Sequence, residues 1–135
     1  MGASKEVEVG DKPMIKYNAD GLVPAIVQDA DTGDIMMMAW MNDEALAYTI
    51  EHGKAAFYSR SRGKFWVKGE SSGHVQKVVE VRTDCDQDVV LVRVKPHGPA
   101  CHVGYRTCFY RAFDESGQKL VTVDEPVFDP DDVYK

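Results

Sequence analysis

In the middle of the chain, KVVEVRT (77–83) and VVLVRVK (89–95) have the alternating, β-branched character of strands, and between them stands DCDQD at 84–88. A continuous strand would carry Asp84, Asp86 and Asp88 on one side and Cys85 and Gln87 on the other. At about 3.3 Å per residue, Asp84 and Asp88 would then lie roughly 13 Å apart, too far to share one ion. The interruption admits two readings. One is a solvated acidic turn between strands. The other is a bent or bulged segment whose carboxylates converge on a cation, from one subunit or two, because packed carboxylates repel unless protonated or metal-bound. Hard oxygen donors of this kind suit Mg2+ or Mn2+. An EF-hand calcium loop starting at Asp84 is excluded: its sixth position needs Gly and its twelfth Glu, where this chain has Val89 and Lys95.

Around this segment the elements follow from local signals. Residues 1–16 are polar, carry Gly10 and Pro13 and show no period, which predicts a flexible arm. LVPAIVQD (22–29) and DIMMMAWM (34–41), joined by ADTG, predict a β-hairpin. Asn42 then caps a helix with Asp43 and Glu44 in its first turn, Leu46 and Ile50 on one face and Gly53 as its stop. His52, in the last turn, suits the helix dipole and takes a structural role. AAFYS (55–59) and FWVKG (65–69) are short strands about the turn RSRGK, residues 74–95 are a long β-stretch, and GPACHVG (98–104) is loop-like. YRTCFYRAF (105–113) predicts a strand, DESG a turn and KLVTV (119–123) another strand. The expected fold is α+β and mostly β: a compact mixed or antiparallel β domain over 17–135 with one clear helix at about 42–53. An acidic tail begins at about 124.

A composition of 44% hydrophobic and 28% charged residues is ordinary for a soluble domain. No apolar run approaches the roughly 20 residues of a membrane span, and the N-terminus lacks a signal-peptide core. MGASKE fails as a myristoylation site because position 6 is Glu. The expected location is the cytoplasm. A formal net charge of −6 disfavours nucleic-acid binding, which usually shows a basic excess. Three cysteines are too few and too odd in number for a disulfide framework. Cys101 and Cys108 lack zinc-knuckle spacing, but Cys101 lies in a Gly/Pro loop beside His102 and Cys108 lies on the strand this loop leads into. With Cys85 they make a possible three-thiolate site whose fourth position is open to water, the arrangement of a catalytic zinc; core thiols are the alternative. If Cys85 points away from the carboxylates, it serves a different metal site from theirs, across a dimer interface.

SRSRGKFWVKG (59–69) carries four bases and no acid inside an acidic protein. A charge run is often only a solvated face. Here hydroxyls, glycine and Trp66 are interleaved with the bases, and Arg forks and hydroxyls suit phosphate groups. The candidate substrate-binding residues are Ser59, Arg60, Ser61, Arg62, Lys64, Trp66, Lys68, Glu70 and Ser72. Trp66 is either an indole that stacks on a base or a core or interface aromatic.

Together, ADGLVPAIVQD, MMAWMN, FYSRSRGKFWVKGESSGH, DCDQD and GPACHVGYRTCFYR resemble phosphoribosyl-AMP cyclohydrolase of histidine biosynthesis, in order and without a large gap from about residue 19 to 113. The family commonly has Thr where Val103 stands and Ser where Thr107 stands. The first change removes a hydroxyl beside His102, and the second keeps one. With no trailing pyrophosphohydrolase domain in view, the expectation is a monofunctional enzyme. The resemblance implies Mg2+ at Asp84, Asp86 and Asp88. It implies Zn2+ at Cys101 and Cys108 of one subunit and Cys85 of the other, hence an obligate homodimer. The substrate would be N1-(5-phosphoribosyl)-AMP, a small phosphorylated nucleotide, opened at its N1–C6 bond. Ribosylation at N1 leaves the purine electron-poor and C6 open to water, whose pKa zinc lowers toward 7. A proton must then reach N1 as the C–N bond breaks. His102, next to Cys101, is the first candidate acid/base and His74 the second.

Two rival readings remain at this level. A nucleobase deaminase would attack the same carbon, but its H-x-E and P-C-x-x-C signature is absent. A non-enzymatic dimer stapled by zinc, with the basic turn binding RNA, is disfavoured by the acidic charge.

Overall fold

The structure of the chain is a computed structural model and describes residues 4–70, 73–101 and 103–127. Its centre is a four-stranded sheet built from two hairpins. The first joins β1 (Val23–Asp29) to β2 (Ile35–Met41), antiparallel, with Ala25 opposite Ala39. The second joins β5 (Gln76–Thr83) to β6 (Val90–Pro96), also antiparallel. The hairpins meet through β1 and β6, which run parallel with Ala25 opposite Val90 and Val27 opposite Val92, so the sheet order is β2-β1-β6-β5. Alternation does what it should on a half-buried sheet: Val23, Ala25 and Val27 of β1 and Val90, Val92 and Val94 of β6 are buried on one face. They pack with Met36, Met41, Leu46 and Phe57 into one core.

Between the hairpins come the helix α2 (Asp43–His52) and a small antiparallel pair, β3 (Ala56–Ser59) and β4 (Lys64–Val67). The Asn42 side chain accepts from the Ala45 amide at 2.8 Å, and Gly53 ends the helix in the left-handed region at φ 68°, as the sequence signals require. Thr49 ties the helix to β3, donating to the Ala45 carbonyl and accepting from the Ala56 amide at 3.0 Å. His52 lies with its ring 4.3 Å from that of Tyr48.

Four expectations change. Leu46 and Ile50 share a face, as i and i+4 must, but the buried arc is centred on Ala45, Leu46 and Thr49, and Ile50 is 63% exposed. At about 100° per residue, Ile50 falls beyond the edge of that arc. The 74–95 stretch is two strands, because the chain turns at 84–89. The 105–113 strand shrinks to β7 (Arg111–Phe113), paired with β8 (Leu120–Thr122), because residues 107 and 108 are held on the outer edge of β2 instead. The arm contains a short helix, α1 (Lys5–Val9), capped by Ser4, so α2 is not the single helix.

Candidate active site

The acidic segment converges by turning, not by bulging. Gln87 takes φ 56°, a left-handed conformation uncommon outside glycine, its amide donates to the Asp84 carbonyl at 3.0 Å, and the Asp88 amide donates to Asp84 Oδ1 at 3.2 Å. The turn abolishes the strand alternation and brings one carboxylate oxygen each of Asp84, Asp86 and Asp88 within 4.8 Å of one another. The carboxyl of Asp88 is pushed above the usual carboxylate range, first by its hydrogen bond with Asp84 and also by the charges of Asp84 and Asp86. Such crowding is what a divalent cation relieves, and the donor set suits a hard one.

Cys101 and Cys108 are brought together at the opposite edge of the sheet. The loop from 100 to 106 closes on itself through Ala100 N–H to Arg106 O at 3.0 Å and Cys101 N–H to Tyr105 O at 3.1 Å. The next residues dock on β2: Thr107 Oγ1 donates to the Ile35 carbonyl at 2.7 Å and the Cys108 amide to the Met36 carbonyl at 2.7 Å. The hydroxyl that Thr107 keeps thus anchors the second thiol. Cys101 is buried, while Cys108 is exposed as a residue with its sulfur turned against Cys101. Burial first, then the neighbouring Cys101, pushes the Cys108 thiol up to about 12. Two adjoining thiols beside an open loop suit two ligands of a zinc ion.

Lys68 is not displayed with the other bases. It is buried, its Nζ donates to the Ala100 carbonyl at 2.6 Å, and it faces the two sulfurs. Burial lowers its pKa and negative charge at Cys108 and Cys101 opposes that shift. Nothing in a basic run of sequence tells a buried lysine from exposed ones.

Arg106 clamps the same loop from the other side. Its guanidinium donates to Asp29 Oδ2 at 2.5 Å and Asp34 Oδ2 at 2.8 Å, while Asp29 Oδ1 accepts from the amides of Asp31 and Thr32. Burial would raise the Asp29 pKa, but these donors outweigh it and hold the carboxyl below its usual range. Arg106→Ala is expected to cost about 1–3 kcal/mol at pH 7 by leaving a buried acceptor short of its partner. The folded pKa of Asp29 is depressed, so its contribution is present above the ordinary carboxylate pKa and lost as pH falls through the folded value. Denaturant melts of wild type and variant should therefore differ at pH 7 and converge as pH falls below the usual carboxylate range; an equal gap throughout would assign the loss to packing alone.

The turn between β3 and β4 carries Arg60, Ser61 and Arg62, and Lys64 opens β4 beside it, all exposed. Ser59 Oγ accepts from the Arg62 amide at 3.2 Å and lies 3.3 Å from Ser61 Oγ, so the hydroxyls order the turn itself. Arg60 sits over the Trp40 ring at 4.8 Å, a partner the sequence did not suggest. Trp66 is half-buried and packs on Phe57 at 5.1 Å, the arrangement of a core-edge aromatic. Glu70 is exposed, and Ser72 and His102 lie outside the described residues. His74 is placed by two close backbone approaches. A Cβ on Gly98 would sit 2.6 Å from His74 Cδ2, and one on Gly69 would sit 2.4 Å from the Val75 nitrogen.

Cys85 does not join the other thiols within one chain. It stands on the β5–β6 turn, near Asp86 and Glu8, while Cys108 hangs on the far side of β2. With β2 and β5 three strands apart, the separation is roughly 14 Å from strand spacing alone. Zinc at about 2.3 Å from each sulfur cannot bridge it. The hairpin after Cys108 is similarly incomplete. β7 and β8 touch each other and no other helix or strand of the described residues, and Phe113 is 75% exposed with Leu120 and Val121 also open. A two-stranded hairpin alone is marginal in water.

A family model described as phosphoribosyl-AMP cyclohydrolase matches residues 37–110. A Chlorobaculum tepidum protein named phosphoribosyl-AMP cyclohydrolase is 48% identical over 134 residues, covering 99% of this chain and 97% of the relative. Proteins of the same name from Azotobacter vinelandii and Pseudomonas aeruginosa LESB58 are 56% and 57% identical, each over 90% of both chains.

Proposed function

This chain belongs to the phosphoribosyl-AMP cyclohydrolase family, an enzyme family of histidine biosynthesis, and from that premise we propose a zinc-dependent opening of its substrate at a site shared between two copies of the chain. Cys101 and Cys108 of one copy and Cys85 of the other hold the zinc. Asp84, Asp86 and Asp88 hold Mg2+. The observation that carries this reading is the placement of Cys85 three strands from the other two thiols, a gap that a second copy would close. The bare β7–β8 hairpin supports the same conclusion, since a partner would cover it.

Zinc held there would supply a water of lowered pKa for attack on C6 of N1-(5-phosphoribosyl)-AMP. The chain's own residues do the rest. His102, or His74 in its place, delivers the proton to N1 as the N1–C6 bond breaks, and the added oxygen stays on C6 as a carboxamide. Arg60, Arg62 and Lys64 on the exposed turn neutralise the substrate phosphates. Lys68, facing the sulfurs, offsets thiolate charge when zinc is bound. No helix among the described residues is long and apolar enough to cross a membrane, which suits the cytoplasmic location we assign.

Mixing two inactive variants tests the shared site. In a Cys85→Ser/Cys101→Ser heterodimer, one site loses both ligands and the other keeps all three. Random exchange should restore about a quarter of wild-type turnover, half of the dimers being mixed and half of their sites intact. No recovery, with exchange verified by mass, would place all three ligands in one chain. Asp86→Asn separates the two metals: turnover should fall, added Mg2+ should partly restore it, and zinc content should not change. Loss of zinc in that variant would show that carboxylates and thiols serve one site.

A further inference from the structure

The acidic turn does not stand alone. Gln87, at its centre, is only 5% exposed although its neighbours Asp84, Cys85 and Asp88 are open to solvent. Its side-chain amide is spent on the backbone of the N-terminal arm. Oε1 accepts from the Met14 amide at 2.6 Å, and Nε2 donates to the Val7 carbonyl at 3.0 Å and toward that of Lys12 at 3.5 Å. The Gln87 carbonyl accepts from the Lys16 amide at 2.7 Å. The arm also rests Ile15 against the core, while a cleft of about 530 Å³ lies between Gly10–Pro13, α2 and β5. The hydrogen-bonded tie between arm and body is therefore the residue that makes the turn.

We propose that Gln87 is a positioning residue which straps the N-terminal arm to the 84–88 turn and so holds Asp84, Asp86 and Asp88 converged before the cation arrives. The inference rests on the reading that these carboxylates bind a divalent cation. Three carboxylates within 4.8 Å repel one another and the turn has a left-handed non-glycine residue at its centre, so its two internal hydrogen bonds to Asp84 work against local charge and backbone cost. Four hydrogen bonds to the arm supply the restraint. Without them the turn relaxes, and the cation must gather its ligands at the expense of affinity.

The test is Mn2+ titration of the full-length, zinc-loaded enzyme, with free Mn2+ read by electron paramagnetic resonance. Gln87→Gly removes the amide while leaving a residue that adopts positive φ without strain, and because glycine also loosens the turn its loss is read beside that of Gln87→Asn. Gln87→Asn, which also tolerates the left-handed region but is too short to reach the arm, is the second variant should the first fold poorly. Both should bind Mn2+ about 10-fold or more weakly, the usual effect of losing an outer-shell partner. Zinc content should be unchanged, and amide exchange at Met14 should be faster. Because α1 also brings Glu8 within 4.8 Å of Cys85 and Asp86, Glu8→Gln controls for charge and should shift affinity by less than about 3-fold. Wild-type Mn2+ affinity in Gln87→Gly or Gln87→Asn overturns the proposal, as does a loss in Glu8→Gln equal to theirs. A wild-type enzyme that binds no Mn2+ overturns instead the metal reading beneath it.

Discussion

Cys101→Ser and Cys108→Ser should each leave an enzyme without zinc and without measurable turnover. The two thiols lie against each other at the outer edge of β2, one buried in the 100–106 loop and the other docked on Met36. An open zinc site has three protein ligands, and losing one removes a direct bond to the metal. The effect should exceed the roughly 10–100-fold that an outer-shell change costs in affinity. The variants should still fold, because the serine keeps the backbone bonds that hold both positions. Metal analysis and a single-turnover assay check this together. Zinc near one per chain with activity intact would make these thiols packing residues, and the Lys68 ammonium beside them would then lack a catalytic context.

The second large effect is expected at His102. Replacing it with Ala should lower kcat by roughly 10²–10⁴-fold, the usual contribution of a positioned acid or base, with KM little changed. The motive is adjacency in sequence: His102 directly follows Cys101, one of the proposed zinc ligands. His74, set against Gly98 and Gly69, is the other candidate. A loop-ordering role for His102 would cost zinc affinity and thermal stability along with rate, whereas an acid/base role costs rate alone and reshapes the pH profile. Near-normal kcat from about pH 6 to 9 in His102→Ala would transfer the proton-delivery role to His74.

Much of this site is legible in sequence wherever the signal is local. Asn42 and Gly53 bracket α2 because capping depends on a few adjacent residues. The β1–β2 hairpin follows from its turn, and β6 from its alternating valines. The acidic run announces an interruption, and its convergence stands as one of two readings, but a bend, a bulge and a second subunit are all open in the sequence where the structure uses a turn centred on Gln87. What stays hidden depends on long-range pairing. The parallel meeting of β1 and β6 decides which edges Cys85 and Cys108 occupy, and no neighbouring residues encode it. Lys68 belongs to a basic run, and only the fold turns it inward to Ala100. Gln87 and Arg106 look like ordinary turn and loop residues until their partners, 73 and 77 positions away, arrive beside them.

The most direct measurement is turnover of N1-(5-phosphoribosyl)-AMP by the purified protein, followed by the change in purine absorbance, before and after a chelator strips its zinc. Ring opening is expected in the untreated enzyme, none in the stripped enzyme and recovery when Zn2+ is restored. An unchanged rate in protein shown by metal analysis to hold no zinc would contradict zinc-dependent ring opening.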